Sequence, residues 1–159
     1  MIMKKTIRSL SMVLLSALMI ALLTSCKKTP SDTAGFKALA NAKGYVVYDV
    51  TDQYINAPQI KKAIVVAPKD KSFQIEFYII TDRNSAKELF QAQSEVMDGA
   101  VGKSWSGDVS NGNNYAKRTV NTDEQFMVLS YIENTMLYVP LTDKEYKKSV
   151  ETFISEFKY

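Results

Sequence analysis

Glu76 and Tyr78 stand two residues apart in Phe73-Gln74-Ile75-Glu76-Phe77-Tyr78-Ile79-Ile80. On an extended chain, residues i and i+2 share a face, which sets a carboxylate beside a phenol. Such a pair suits a polar ligand groove. The same residues suit, more commonly, a strand face turned to solvent with no further role. Few other groups offer reactive chemistry. The chain has no histidine, so it lacks the commonest general base and the commonest nitrogen ligand for metals. Its single cysteine is Cys26. Past that residue, neither a Ser-His-Asp or Cys-His site nor an ordinary zinc, haem or iron–sulfur site can be built. Carboxylate, hydroxyl, lysine and tyrosine chemistry remains. A hydrolase would have to gather at least two of Glu76, Glu133, Asp108 and Lys103, and no pair of carboxylates at glycosidase spacing is legible.

A second candidate lies in residues 98–114, DGAVGKSWSGDVSNGNN, which hold four of the six glycines and the only tryptophan. The composition predicts a loop, and loops longer than about 12–15 residues are uncommon in compact domains unless functional or disordered. Trp105, flanked by serines, offers a flat indole face and one N–H donor to a ligand; the alternative is that it folds back and pins the loop. Asp108, Asn111 and Asn113 hint at calcium, but one carboxylate without a closing glutamate does not make an EF-hand. Gly102-Lys103-Ser104 lacks the preceding strand and glycine spacing of a phosphate loop. No metal and no cofactor is expected.

The elements that must position these residues follow from periodicity. Phe36, Leu39 and Ala40 predict a helix over 34–43 that Gly44 can end. Residues 45–50, 63–67 and 73–80 predict strands, the last alternating between an apolar face (Phe73, Ile75, Phe77, Ile79) and a polar, half-wet one. Ser85 and Glu88 have capping-box spacing, and Ala86, Leu89, Phe90, Gln93 and Met97 line one face of the helix after them. Residues 115–122 predict another strand, and 125–132 with 136–141 a hairpin. Thr142 and Glu145 repeat the capping-box spacing before a helix with Tyr146, Val150, Phe153, Ile154 and Phe157 on one face. A shift of 57 residues lays Lys87-Glu88 on Lys144-Glu145. The expected fold is therefore α+β: an antiparallel sheet with helices on one face, built from two strand-hairpin-helix halves.

The front of the chain has the three parts of an export signal. Lys4, Lys5 and Arg8 are basic, residues 10–23 carry no charge, and Leu23-Thr24-Ser25-Cys26 follows. These last four residues resemble the lipobox of bacterial lipoproteins. The resemblance implies that Cys26 is acylated and that residues 1–25 are removed. Two acyl chains, at about 0.8 kcal/mol per buried CH₂, hold a protein firmly where one does not. The apolar run is shorter than the roughly 20 residues of a membrane span. Residues 26–33 read as a tether of at most about 25 Å, and 34–159 as one domain. Removing the signal also changes the charge. Three of the 20 basic residues precede Cys26 and none of the 17 acidic ones does, leaving 17 of each. No basic field for nucleic acid remains.

IEFY at 75–78 and ENTMLYV at 133–139 resemble segments of small, uncharacterised lipoproteins of anaerobic Gram-positive bacteria. That resemblance implies an envelope protein and no particular site. The expected protein is lipid-anchored on the extracytoplasmic face of the membrane. Its domain binds an envelope protein, a peptide or a cell-wall component without catalysis, through Trp105, Glu76 and Tyr78. The alternatives are an envelope hydrolase, or a structural subunit with an apolar sheet face that includes Tyr131 and Met127.

Overall fold

A computed structural model describes residues 27–101 and 106–159, with no account of the Val101 and Ser106 side chains. The export signal, Cys26, Lys103 and Trp105 lie outside the described residues. Helix α1 spans Thr33–Ala42. The Asp32 carboxylate caps its start by accepting from the Gly35 N–H at 2.7 Å. At its end Gly44 takes φ 73° while the Tyr45 N–H bonds the Ala40 carbonyl. This left-handed turn needs glycine at that position. Strands β1 (Val46–Asp49), β2 (Ile60–Ala67) and β3 (Ile75–Ile80) form one antiparallel meander. A 3-10 turn at Thr51–Tyr54 lies between β1 and β2. Helix α2 (Arg83–Val101) follows. Strands β4 (Ser106–Asn111), β5 (Tyr115–Asn121), β6 (Gln125–Ile132) and β7 (Thr135–Asp143) form a second meander, and helix α3 is Lys147–Glu156. The meanders join through β3 and β7, giving one antiparallel sheet in the order β1-β2-β3-β7-β6-β5-β4.

The expected mixed α+β architecture is present, but its helices are not on one face. Alternate residues of each central strand enter two separate cores. Ile64, Val66, Ile75, Phe77, Val128, Leu137 and Val139 pack with Phe36 of α1 and Phe153 of α3. Ala63, Tyr78, Ile80, Met127, Leu129, Tyr131 and Met136 pack with Ala86, Phe90 and Met97 of α2. The sheet is thus the middle of three layers. Helix α2 covers Tyr78 on the polar-looking face of β3 while Gln74 and Glu76 stay half-exposed there, so the expected half-wet face is closed only in part. The helix also covers Tyr131 and Met127, so these two form no open apolar patch.

The two halves are not a rotational repeat. A two-fold axis that relates antiparallel neighbours keeps their faces, yet α2 and α3, each following the last strand of its meander, lie on opposite faces. Nor do the aligned capping boxes correspond. Asp82, not Ser85, caps α2, accepting from the Ser85 N–H at 3.0 Å. Thr142 is still in β7, and Lys144–Tyr146 make a 3-10 turn before α3. The loop expected over 98–114 is also shorter. The end of α2 and the edge strand β4 occupy most of it. Strand β4 is exposed on both sides at residues 107–110, so its backbone ladder with β5 holds it without any apolar alternation to announce it.

The segment expected to be a leash is bound to the domain. Asn114, 1% exposed, accepts from the Lys28 N–H at 3.0 Å and donates to the Lys28 carbonyl at 2.7 Å. It also donates to Glu133 Oε1 at 2.8 Å. Glu133 takes a left-handed φ of 52° in the β6–β7 turn, a position a non-glycine residue occupies at some strain. Ser31 Oγ donates to the Phe157 carbonyl at 3.1 Å. Asn114→Ala should cost about 2 kcal/mol by leaving these groups unpaired. Thermal melting would read that loss, and hydrogen exchange would show the Lys28 amide losing its protection.

Candidate functional site

Strand β3 is third of seven, so its side chains face helices on both sides of the sheet. Glu76 shares the α2 face with Tyr78, and its cross-strand neighbours are Val65 on β2 and Tyr138 on β7. Helix α2 brings Leu89 and Gln93 over the same spot. The Thr51–Tyr54 turn brings Tyr54 in from the side. Together with Ile60 and Met136 these groups line a recess of about 300 Å³.

The polar atoms of this recess form a chain. Tyr78 donates its phenolic proton to Glu76 Oε2, and Gln74 Nε2 donates to Oε1 at 2.6 Å. The Tyr54 and Tyr78 hydroxyls lie 2.9 Å apart. Tyr78 has already committed its one proton, so Tyr54 is the donor in that contact. Their rings meet edge to face, with centroids 5.6 Å apart at 87°. Glu76 makes no ion pair with any Lys or Arg among the described residues. Burial raises its pKa above the usual carboxylate range, against the opposing hydrogen bonds from Tyr78 and Gln74. Burial, reinforced by the charge of Glu76, likewise raises the pKa of Tyr78; burial raises that of Tyr138 as well, so both remain phenols.

The structure thus brings together Glu76 and Tyr78 of the expected site residues. Trp105 lies outside the described residues. Glu133 sits in the β6–β7 turn bonded to Asn114, and Asp108 is exposed on edge strand β4. With Glu76 in its own recess, these three carboxylates share no site. No group of carboxylates able to hold a metal occurs among the described residues. Sequence reasoning missed Tyr54, Gln93 and Tyr138. Tyr54 lies in a stretch without periodicity. Tyr138 meets Glu76 only through the β3–β7 pairing between meanders, and no local signal sets that register.

A larger recess of about 460 Å³ lies between the start of α2 and the β4–β5 turn, with Arg83, Lys87, Phe90, Asn111 and Tyr131 among its lining. Arg83 donates to the Asn113 carbonyl there, and the mouth is otherwise formed by exposed side-chain tips. Its lining holds no carboxylate, so the smaller recess, with Glu76, has the stronger chemistry. Comparison with known proteins finds no family model, no curated protein and no solved structure that matches this chain. The short resemblances at 75–78 and 133–139 therefore assign no family, and the site rests on its geometry.

Proposed function

We propose that this chain is an extracytoplasmic lipoprotein whose domain binds a small ligand in the recess at Glu76 and performs no chemistry on it. The observation that carries the binding reading is the Tyr54–Tyr78–Glu76 chain, a carboxylate set in a partly open recess whose lining among the described residues adds no second carboxylate and no lysine or arginine. The anchoring reading rests on Leu23-Thr24-Ser25-Cys26 and the uncharged run before it.

The bonds to Lys28 add a consequence. Only Lys27 separates it from Cys26, a span of about 7 Å at most. An acylated Cys26 would hold the end of the sheet that carries Asn114 and the β6–β7 turn against the membrane. The domain would then stand in one orientation rather than swing on a leash.

Mass spectrometry of the mature N-terminus from the native host tests the anchor. The expected species begins at Cys26 and carries acyl chains, and Cys26→Ser should move the protein from the membrane to the soluble fraction. An unmodified Cys26 thiol on the native protein would overturn the lipoprotein reading.

A further inference from the structure

We propose that the recess formed by Tyr54, Glu76, Tyr78, Gln93 and Tyr138 is a site for a primary alkylammonium group. This rests on the recess being the binding site and names its ligand class. Both oxygens of Glu76 already accept a bond from the protein, which is how a carboxylate is held when its charge is wanted. Yet no cationic side chain among the described residues neutralises it. A partly buried charge left without a counter-ion is costly to keep. A ligand cation would supply the missing charge, with a charge-assisted hydrogen bond to a remaining lone pair of Glu76.

The walls suit the same ligand. Tyrosine faces attract a cation, and Tyr54, Tyr78 and Tyr138 line the recess beside Glu76. An ammonium has three N–H donors. Glu76 keeps free lone pairs, and Tyr138 and Gln93, which are hydrogen-bonded to each other, retain acceptor capacity on the hydroxyl and carbonyl oxygens in the same recess. A quaternary ammonium would leave those acceptors unused. Ile60, Leu89 and Met136 provide the apolar surface for a short alkyl body. An anion would meet the charge of Glu76 with no cation opposite, and a neutral alcohol would leave that charge unpaired.

The test is calorimetric titration of the full domain with n-butylammonium, n-butanol and choline. Wild type is expected to bind butylammonium saturably. Glu76→Gln should weaken that binding at least tenfold and Tyr138→Phe by less, each variant keeping the wild-type far-ultraviolet circular dichroism and a cooperative thermal melt. Leu89→Trp, which fills the recess, should abolish binding. Butanol or choline binding as tightly as butylammonium, undiminished by Glu76→Gln but lost in Leu89→Trp, would overturn the ammonium assignment and leave the recess as the binding site. If no probe bound the folded wild type, or if Leu89→Trp bound as well as wild type, the recess reading would fall with it.

Discussion

Phe77→Ala should destabilise the domain by about 4 kcal/mol, within the usual range for an aromatic removed from a packed core. Phe77 is fully buried on β3, on the face opposite Glu76. Its ring stacks on Phe36 of α1 with centroids 5.1 Å apart, and meets Phe157 edge to face at 5.2 Å and Tyr159 at 6.0 Å. Alanine there removes contacts with α1 and with the residues after α3 at once, because all of them converge on this ring. Neither helix can move in to fill the space without leaving its other partners: Phe36 also packs edge to face on Phe153 at 5.5 Å. Domains of this size are stable by roughly 5–15 kcal/mol, so the loss is a large fraction of the whole. The expected fall in melting temperature is on the order of 10–20 °C. Val96→Ala serves as the comparison, since Val96 is 60% exposed on α2 and should change stability by no more than about 0.5 kcal/mol. A Phe77→Ala loss as small as that of Val96→Ala would mean that the aromatic core does not tie α1 to the sheet.

What could be read from the sequence was whatever repeats locally. The faces of α2 and α3 are an example: Ala86, Phe90 and Met97, and Val150, Phe153 and Ile154, are buried as their spacing requires. The alternation in β3 correctly separated Phe77 from Glu76 and Tyr78. It did not show which residues of the second face are closed off, because a polar residue on a strand marks either solvent or a buried polar site, and the pattern is the same for both. Here Tyr78 is 5% exposed and is satisfied by Glu76 and Tyr54 rather than by water. Strand β4 was illegible for the opposite reason. As an edge strand it buries neither face at residues 107–110, so its sequence needs no alternation, and its glycine and serine content imitates a loop. The side of the sheet on which each helix packs depends on how the chain leaves β3 and β7. Both ends are followed by polar residues with capping potential, and only the three-dimensional path distinguishes them.

Glu76→Gln should make the domain more stable than wild type at neutral pH, with the advantage vanishing as the pH falls toward 4. Burial raises the folded pKa of Glu76 above its unfolded value, which for glutamate is about 4.3. Between those two values the folded chain holds more protons than the unfolded one, so stability falls as pH rises through that window. Above the folded pKa the full loss persists. Glutamine keeps the shape and accepts from Tyr78 but does not ionise, so the variant escapes this loss. The groups around Glu76 do not complicate the comparison: burial raises Tyr78 and Tyr138 so that both stay protonated, and Gln74, Gln93, Val65 and Leu89 do not ionise. Asp49 acts in the opposite sense, held down to about 2 chiefly by the hydrogen bond from Lys62, but wild type and variant share it and it cancels in their difference. Paired thermal melts from pH 4 to 8 would show the two curves parting as the pH rises. A variant less stable than wild type at pH 7 would mean that Glu76 holds the recess together rather than straining it. Saturating n-butylammonium should reverse the order at pH 7. The cation favours ionised Glu76 and stabilises wild type by an amount that grows with ligand concentration, about 2.7 kcal/mol at a hundredfold excess over Kd, while glutamine offers it no charge.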